Sequence, residues 1–306
     1  MKILVTGGAG FIGSHVADAF IEEGHNVVIL DDLSTGFGKN INPKAKFVKL
    51  NICDKEIADI FKQERFDVVN HHAAQMDVRR SVADPAFDAN TNILGTINLL
   101  QNCVQHGVKK FMFSSTGGAV YGEQEYFPAD ENHSTRPVSP YGISKLSVEK
   151  YLYFYHNEYN LAYTTLRYAN IYGPRQNPFG EAGVIAIFSS KMLKGEEAII
   201  NGTGEQTRDY VSVKDVVKAN LLTLKDNSSD IYNIGTGIET NVNELFKLLN
   251  EIVGKDQKEN HGPAAPGEQM RSVISSEKLF DKFNWKPSTP LSEGLKETIK
   301  FFKNNL

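Results

Sequence analysis

The sequence predicts an α/β fold, a doubly wound parallel sheet followed by a smaller C-terminal α/β domain. Three observations predict it. Short apolar runs alternate with helical patterns through the first half, a glycine-rich turn joins the first run to the first helix, and the regularity breaks near Asn170. Strict alternation implies right-handed crossovers and a sheet covered on both faces.

Taken in order, residues 2–6 read as a strand and 13–23 as a helix. Residues 27–30 form a strand ending at Asp31 and Asp32; 47–50 form another, followed by a helix near 55–63. A strand at 67–70 precedes a helix at 90–106, and a strand at 110–114 precedes a helix at 140–158. One more strand falls at 164–167. Beyond Asn170 the pattern predicts helices at 184–194, 214–224, 242–253 and 291–303, strands at 210–213 and 231–234, and a polar loop at 255–268. We therefore expect a dinucleotide-binding domain over 1–170 and a substrate domain mainly over 171–306, with some later segments returning to the first.

The 306 residues, 41% hydrophobic and 23% charged, suit a globular chain with room for two cores. A net charge of −4 gives no reason to expect a nucleic-acid partner. Cys53 and Cys103 are too few for a disulfide framework and lack metal-ligand spacing, so no metal is expected. The first strand begins at once and no run is long enough to span a bilayer. A cytoplasmic protein without membrane association is the expectation.

Gly7-Gly8-Ala9-Gly10-Phe11-Ile12-Gly13 stands between strand and helix. Such a turn needs glycine for tight bending, for backbone approach to a pyrophosphate, and for helix–strand packing. The helix start then offers Phe11, Ile12 and Gly13 N–H groups to the phosphates. This is the Rossmann context for a dinucleotide. Asp31, at the end of the second strand, suits a ribose hydroxyl and repels a 2′-phosphate, which favours NAD over NADP.

Ser139-Pro140-Tyr141-Gly142-Ile143-Ser144-Lys145 opens a helix, with Ser139 as N-cap and Pro140 as first residue. Tyr141 and Lys145 then share one face. An ammonium about 4 Å from a phenol, at an effective dielectric near 20, is worth roughly 4 kcal/mol. That lowers the phenol by up to about 3 pH units, toward a general acid–base group at neutral pH. A cationic nicotinamide pushes the same way.

These pieces, with Asp31-Asp32-Leu33-Ser34, His72-Ala73-Ala74-Gln75, Ser114-Ser115-Thr116, Arg167-Tyr168-Ala169-Asn170, Tyr172-Gly173-Pro174-Arg175 and Arg208-Asp209-Tyr210, resemble the extended short-chain dehydrogenase/reductases. Within that family the chain is similar to the UDP-glucose 4-epimerases over nearly its whole length. The resemblance implies Tyr141 as acid/base on the sugar 4-hydroxyl, Lys145 on the nicotinamide ribose, and Thr116 on the reacting oxygen, with Ser115 sharing or taking that role. It implies NAD contacts at Gly7, Gly10, Phe11, Ile12, Gly13, Asp31, Asp32, Ala73, Ala74, Asn92, Ser114 and Tyr168, and an adenine site at Asn51 and Ile52. It implies a UDP-sugar substrate held by Asn170, Val184, Arg208 and Arg271, and a homodimer through the helices at 90–106 and 140–158.

The implied reaction is a round trip at C4: oxidation to a 4-keto sugar, rotation about the diphosphate linkage, and reduction on the other face. Ser272 matches a position bounding the C2 substituent, where a serine leaves room for an N-acetyl group. Two departures concern the nucleotide: Asn201 replaces an aromatic against uracil, and Ala265 a phosphate-binding arginine. Relatives that dehydrate carry acidic residues after the active-site threonine; here Gly117, Gly118 and Ala119 follow Thr116. A UDP-glucuronate 4-epimerase or decarboxylase, and a non-catalytic NAD-binding scaffold, are the alternatives.

Overall fold

The computed structural model describes residues 1–179, 183–264 and 269–305. Seven parallel strands form the main sheet. These are β1 (Lys2–Thr6), β2 (Asn26–Asp31), β3 (Lys46–Lys49), β4 (Val68–His71), β5 (Lys110–Thr116), β6 (Ala162–Tyr168) and, much later in the chain, β10 (Asp230–Ile234), in the order β10-β6-β5-β4-β1-β2-β3. The order reverses between β1 and β4, and ligands of such sheets bind at the strand C-termini beside that switch.

Helices α1 (Phe11–Glu22) and α9 (Val213–Leu224) cover one face, where Val5, Val16, Phe20, Ile29 and Leu224 pack together. On the other face α2 (Ile57–Glu64), α5 (Gly95–Gln105) and α7 (Pro140–Tyr159) enclose Leu4, Phe61, Leu99, Phe111 and Leu152. With both faces buried, β1 and β2 are near-continuous apolar runs rather than alternating.

The helix expected at 90–106 is a π-helical turn at Asn90–Leu94 running into α5, and it is preceded by α3 (Val78–Ala83) and α4 (Pro85–Ala89). Asp84 accepts Phe87 N and Pro85 occupies the first helical position, which starts α4 well before the apolar pattern does. Short α6 (Gly117–Val120) follows β5 directly.

The second unit has its own core, in which Tyr172, Ile185, Phe188, Phe246, Leu249 and Leu295 pack. Its strands β7 (Asn170–Tyr172), β9 (Thr207–Ser212), β11 (Glu239–Asn241) and β13 (Arg271–Ser272) form one small sheet. Its helices are α8 (Val184–Lys194), α10 (Val242–Val253) and α12 (Leu291–Asn305), while α11 (Glu277–Phe283) packs on β10 of the main sheet. Strand β8 (Ile199–Asn201) pairs with β12 (Asn260–Gly262), inside the stretch expected to be loop; three-residue strands carry no readable periodicity. Because β10 joins the first sheet and α9 packs on it, a cut at residue 170 does not separate the two units. Among the described residues no helix is long and apolar enough to cross a membrane.

Candidate active site

The glycine turn sits at the C-terminal end of β1. Gly7 has φ +67°, and a Cβ there would lie 2.6 Å from Ala73 N, so backbone meets backbone at the switch point. A Cβ on Gly13 would lie 2.3 Å from Gly7 O, and one on Gly10 3.1 Å from it. Gly10, at the N-cap of α1, supplies no side-chain cap, which leaves the first-turn N–H groups of Phe11, Ile12 and Gly13 to a ligand. Ala73 N donates to Thr6 Oγ1, and Ala74 continues along the same cleft.

Asp31 is buried; Oδ2 accepts from Ala9 N and Oδ1 from Leu33 N, at 3.0 and 2.8 Å. Burial pushes its carboxyl above the ordinary value, partly opposed by those two N–H groups. Burial also acts on Asp32, but hydrogen bonds from Ser34 and Asn51 outweigh it and hold Asp32 below its ordinary value. Asn51 Nδ2 donates to Asp32 Oδ2 at 2.7 Å. Ile52 is buried against Gly95, where a Cβ would come within 2.8 Å of its side chain. A cradle with glycine where a side chain would block it, uncapped N–H groups and a carboxylate at the ribose end fits NAD.

Ser139 Oγ accepts from Gly142 N at 3.1 Å and starts α7 as its spacing predicts. Lys145 Nζ donates to Ser114 O at 2.8 Å, 4.8 Å from the Phe113 ring centroid and 5.8 Å from that of Tyr141. Burial pushes the Lys145 ammonium down to about 8, opposed by Asp88 and Glu149. Burial, with Asp88 adding, raises the Tyr141 phenol well above its ordinary value. This burial opposes the lowering expected from Lys145 and a cationic nicotinamide together.

Ser115 is also corrected. Side chains alternate along β5, and Ser115 Oγ donates to Glu149 Oε1 at 2.6 Å beneath α7. Ser114 and Thr116 take the other side, so Ser115 does not share Thr116's role. Ser114 Oγ meets His72 Nδ1 at 2.6 Å. Burial, then Lys145, pushes His72 down to about 3, which leaves it neutral. Tyr168 Oη accepts from Asn220 Nδ2 at 2.9 Å, and burial pushes the phenol up to about 12.

On the substrate side, Asn170 opens β7 opposite Tyr210, and Val184 opens α8. Arg208 stands opposite Ser272 in the β9–β13 pairing and donates to Thr207 O at 2.8 Å. A Cβ on Gly118 would lie 3.9 Å from both Thr116 Oγ1 and Ser272 Oγ, so these two hydroxyls face one small space. The Arg271 guanidinium pairs with Glu239 Oε1 at 2.7 Å and lies 3.7 Å from the Phe127 ring centroid. A phosphate role for Arg271 therefore competes with Glu239. Asn201 is exposed on β8. Ala265 lies outside the described residues.

The NAD dependent epimerase/dehydratase family matches residues 3–235. The chain belongs to this NAD-dependent family. A UDP-glucose 4-epimerase of Thermotoga maritima, solved with UDP-glucose, is 51% identical with a TM-score of 0.98, over 100% of this chain and 99% of that one. A Thermus thermophilus UDP-glucose 4-epimerase solved with NAD is 41% identical with a TM-score of 0.95, over 100% of both chains. A UDP-N-acetylglucosamine 4-epimerase of Methanobrevibacter ruminantium is 36% identical with a TM-score of 0.95, over 100% of this chain and 99% of that one.

For a member of the NAD-dependent epimerase/dehydratase family, one expected contact takes an indirect form. Asn92 Oδ1 accepts from Gln75 N, and its Nδ2 donates to Gln75 O, both at 2.9 Å, and also to Asp88 at 3.0 Å. Its amide is spent on the protein and sets the course of the loop bearing Ala73 and Ala74. Asp88 went unassigned in the sequence. It belongs to no local pattern; only the fold brings it to α7, through Ser144.

Proposed function

We propose that this enzyme is a UDP-sugar 4-epimerase that interconverts UDP-glucose and UDP-galactose by transient oxidation at C4. The observation that carries the reading is the Tyr141–Lys145 pair held on Ser114 O of β5, the strand that ends at Thr116 and is followed by Gly117 and Gly118. NAD supplies reversible hydride exchange with C4. Tyr141 takes the 4-hydroxyl proton and returns it, while Thr116 steadies that oxygen. Lys145, held by Ser114 O, offers positive charge to the phenolate and a donor to the nicotinamide ribose. Glycines 117 and 118 bring no second acid or base, so the chemistry stays at one carbon and dehydration is disfavoured.

Arg208, Asn170 and Val184 hold the nucleotide diphosphate in this reading, an arginine fork suiting phosphate oxygens. Ser272 bounds the sugar pocket with a small side chain, which supports acceptance of N-acetylhexosamines. The relative that is a UDP-N-acetylglucosamine 4-epimerase supports the same extension. A homodimer through α5 and α7 is supported by Ile143, Tyr151, Phe154 and Tyr159, which α7 leaves exposed. The unpaired thiols of Cys53 and Cys103 fit the reducing cytoplasm.

The test incubates purified protein, with and without NAD, with UDP-galactose, UDP-N-acetylglucosamine and UDP-glucuronate separately. Formation of UDP-glucose from UDP-galactose is expected. Conversion of UDP-glucuronate alone moves the assignment to the uronate reading, and no conversion of any sugar rejects epimerisation.

A further inference from the structure

Asp88 is fully buried on α4, and the mechanism above gives it no work. Its carboxylate accepts from Gln75 Nε2 at 3.0 Å, Asn92 Nδ2 at 3.0 Å and Ser144 Oγ at 2.6 Å. These donors come from three places: the loop after β4, the π-helical turn, and α7 between Tyr141 and Lys145. All three are neutral. A buried carboxylate is costly without an opposing charge, and neutral donors offset only part of that cost. Ser144 stands next to Lys145 on α7, and the Lys145 ammonium is the cation whose protonated form this carboxylate favours.

We propose that Asp88 is a positioning residue and the buried counter-charge of the Tyr141–Lys145 pair, joining the cofactor loop to α7 through Ser144. The proposal rests on the epimerase reading for its kinetic test. Three further polar groups flank the lysine. Glu149 one turn along α7 is already matched by Arg167 of β6, and His71 and His72 of β4 are held neutral by burial. Among the described residues, Asp88 is therefore the negative charge near Lys145 without an ion pair to an arginine, whereas Glu149 pairs with Arg167. Its charge favours the protonated lysine and disfavours the phenolate, and so pushes both groups upward. Loss of that charge should lower the titration of both.

The decisive variant is Asp88→Asn, compared with wild type across pH 5–10 for UDP-galactose turnover and for NAD affinity by calorimetry. Both limbs of the kcat profile are expected to move to lower pH together, by about one unit, with the pH dependence of NAD binding following. A profile that drops in height without moving, or is unchanged, overturns the counter-charge. Ser144→Ala keeps the charge and cuts the link to α7; it should lower kcat at least about tenfold with little change in KM. Unchanged kcat overturns the positioning role even where Asp88→Asn fails to fold. Should wild type not turn over UDP-galactose, the epimerase reading fails, and NAD affinity against pH still judges Asp88.

Discussion

Replacing Arg167 by Met strands a buried carboxylate. Arg167 is 3% exposed and Glu149 2%, and the guanidinium donates Nη2 to Oε2 at 2.6 Å and Nε to Oε1 at 3.0 Å. It also donates to Tyr121 Oη at 2.9 Å. Without it, Glu149 keeps Ser115 Oγ as a donor and loses its ion pair, with the Lys145 ammonium nearby but not paired to it. Removing one partner of a buried pair costs about 3–5 kcal/mol. At a urea slope of ~3 kcal/mol per molar, the midpoint falls by roughly 1–1.7 M. The deficit depends on pH with a definite sign. A carboxylate stranded in the core binds its proton more readily folded than unfolded, so its folded pKa rises above the unfolded value of about 4.3. The penalty is absent below that value, grows as pH rises toward the folded pKa, and is full above it. Urea curves at pH 5 and pH 8 should therefore show a smaller gap from wild type at pH 5. The double variant Glu149→Met/Arg167→Met should recover most of the loss, because apolar replacement of a whole buried pair is often neutral or stabilising. A single-variant deficit below about 1 kcal/mol, or a double variant no better than the single, would refute this reasoning.

Other expectations concern the site. Tyr141→Phe should lower kcat about 10²–10⁴-fold while calorimetry still detects NAD binding; retained turnover assigns the proton transfer elsewhere. Gly13→Ala should abolish or severely weaken NAD binding, because its Cβ meets the Gly7 carbonyl at 2.3 Å. Gly38→Ala, whose Cβ meets nothing within 4 Å, is the control and should bind NAD as wild type does. Ser272→Tyr should reduce kcat/KM for UDP-N-acetylglucosamine at least about tenfold relative to UDP-glucose, and an unchanged ratio would remove Ser272 from the sugar pocket.

The alternating half of the fold was legible because buried parallel strands and amphipathic helices write strong, local patterns. The glycine turn and the start of α7 were legible for the same reason: each demands particular residues within one short segment. What the sequence hid is relational. Nothing local says that Ser115 turns beneath α7 toward Glu149, thirty-four residues on, while Thr116 turns the other way. Strand β10 reads as any short apolar run, and only its pairing with β6 shows that it completes the first sheet. Arg271 reads as a spare cation until β11 brings Glu239 to it. Spacing on a helix shows that Lys145 neighbours Tyr141, but not the burial that opposes the lowering of the phenol.

The central claim is a redox step at one carbon whose hydride never leaves the site. Turnover of UDP-galactose deuterated at C4 tests it most directly, with the UDP-glucose product analysed by mass spectrometry and NMR. The account predicts deuterium retained at C4 in the product, and no solvent deuterium at C4 when unlabelled substrate reacts in D₂O. Loss of the label to water, or incorporation from it, would contradict hydride return and the role given to the Tyr141–Lys145 pair.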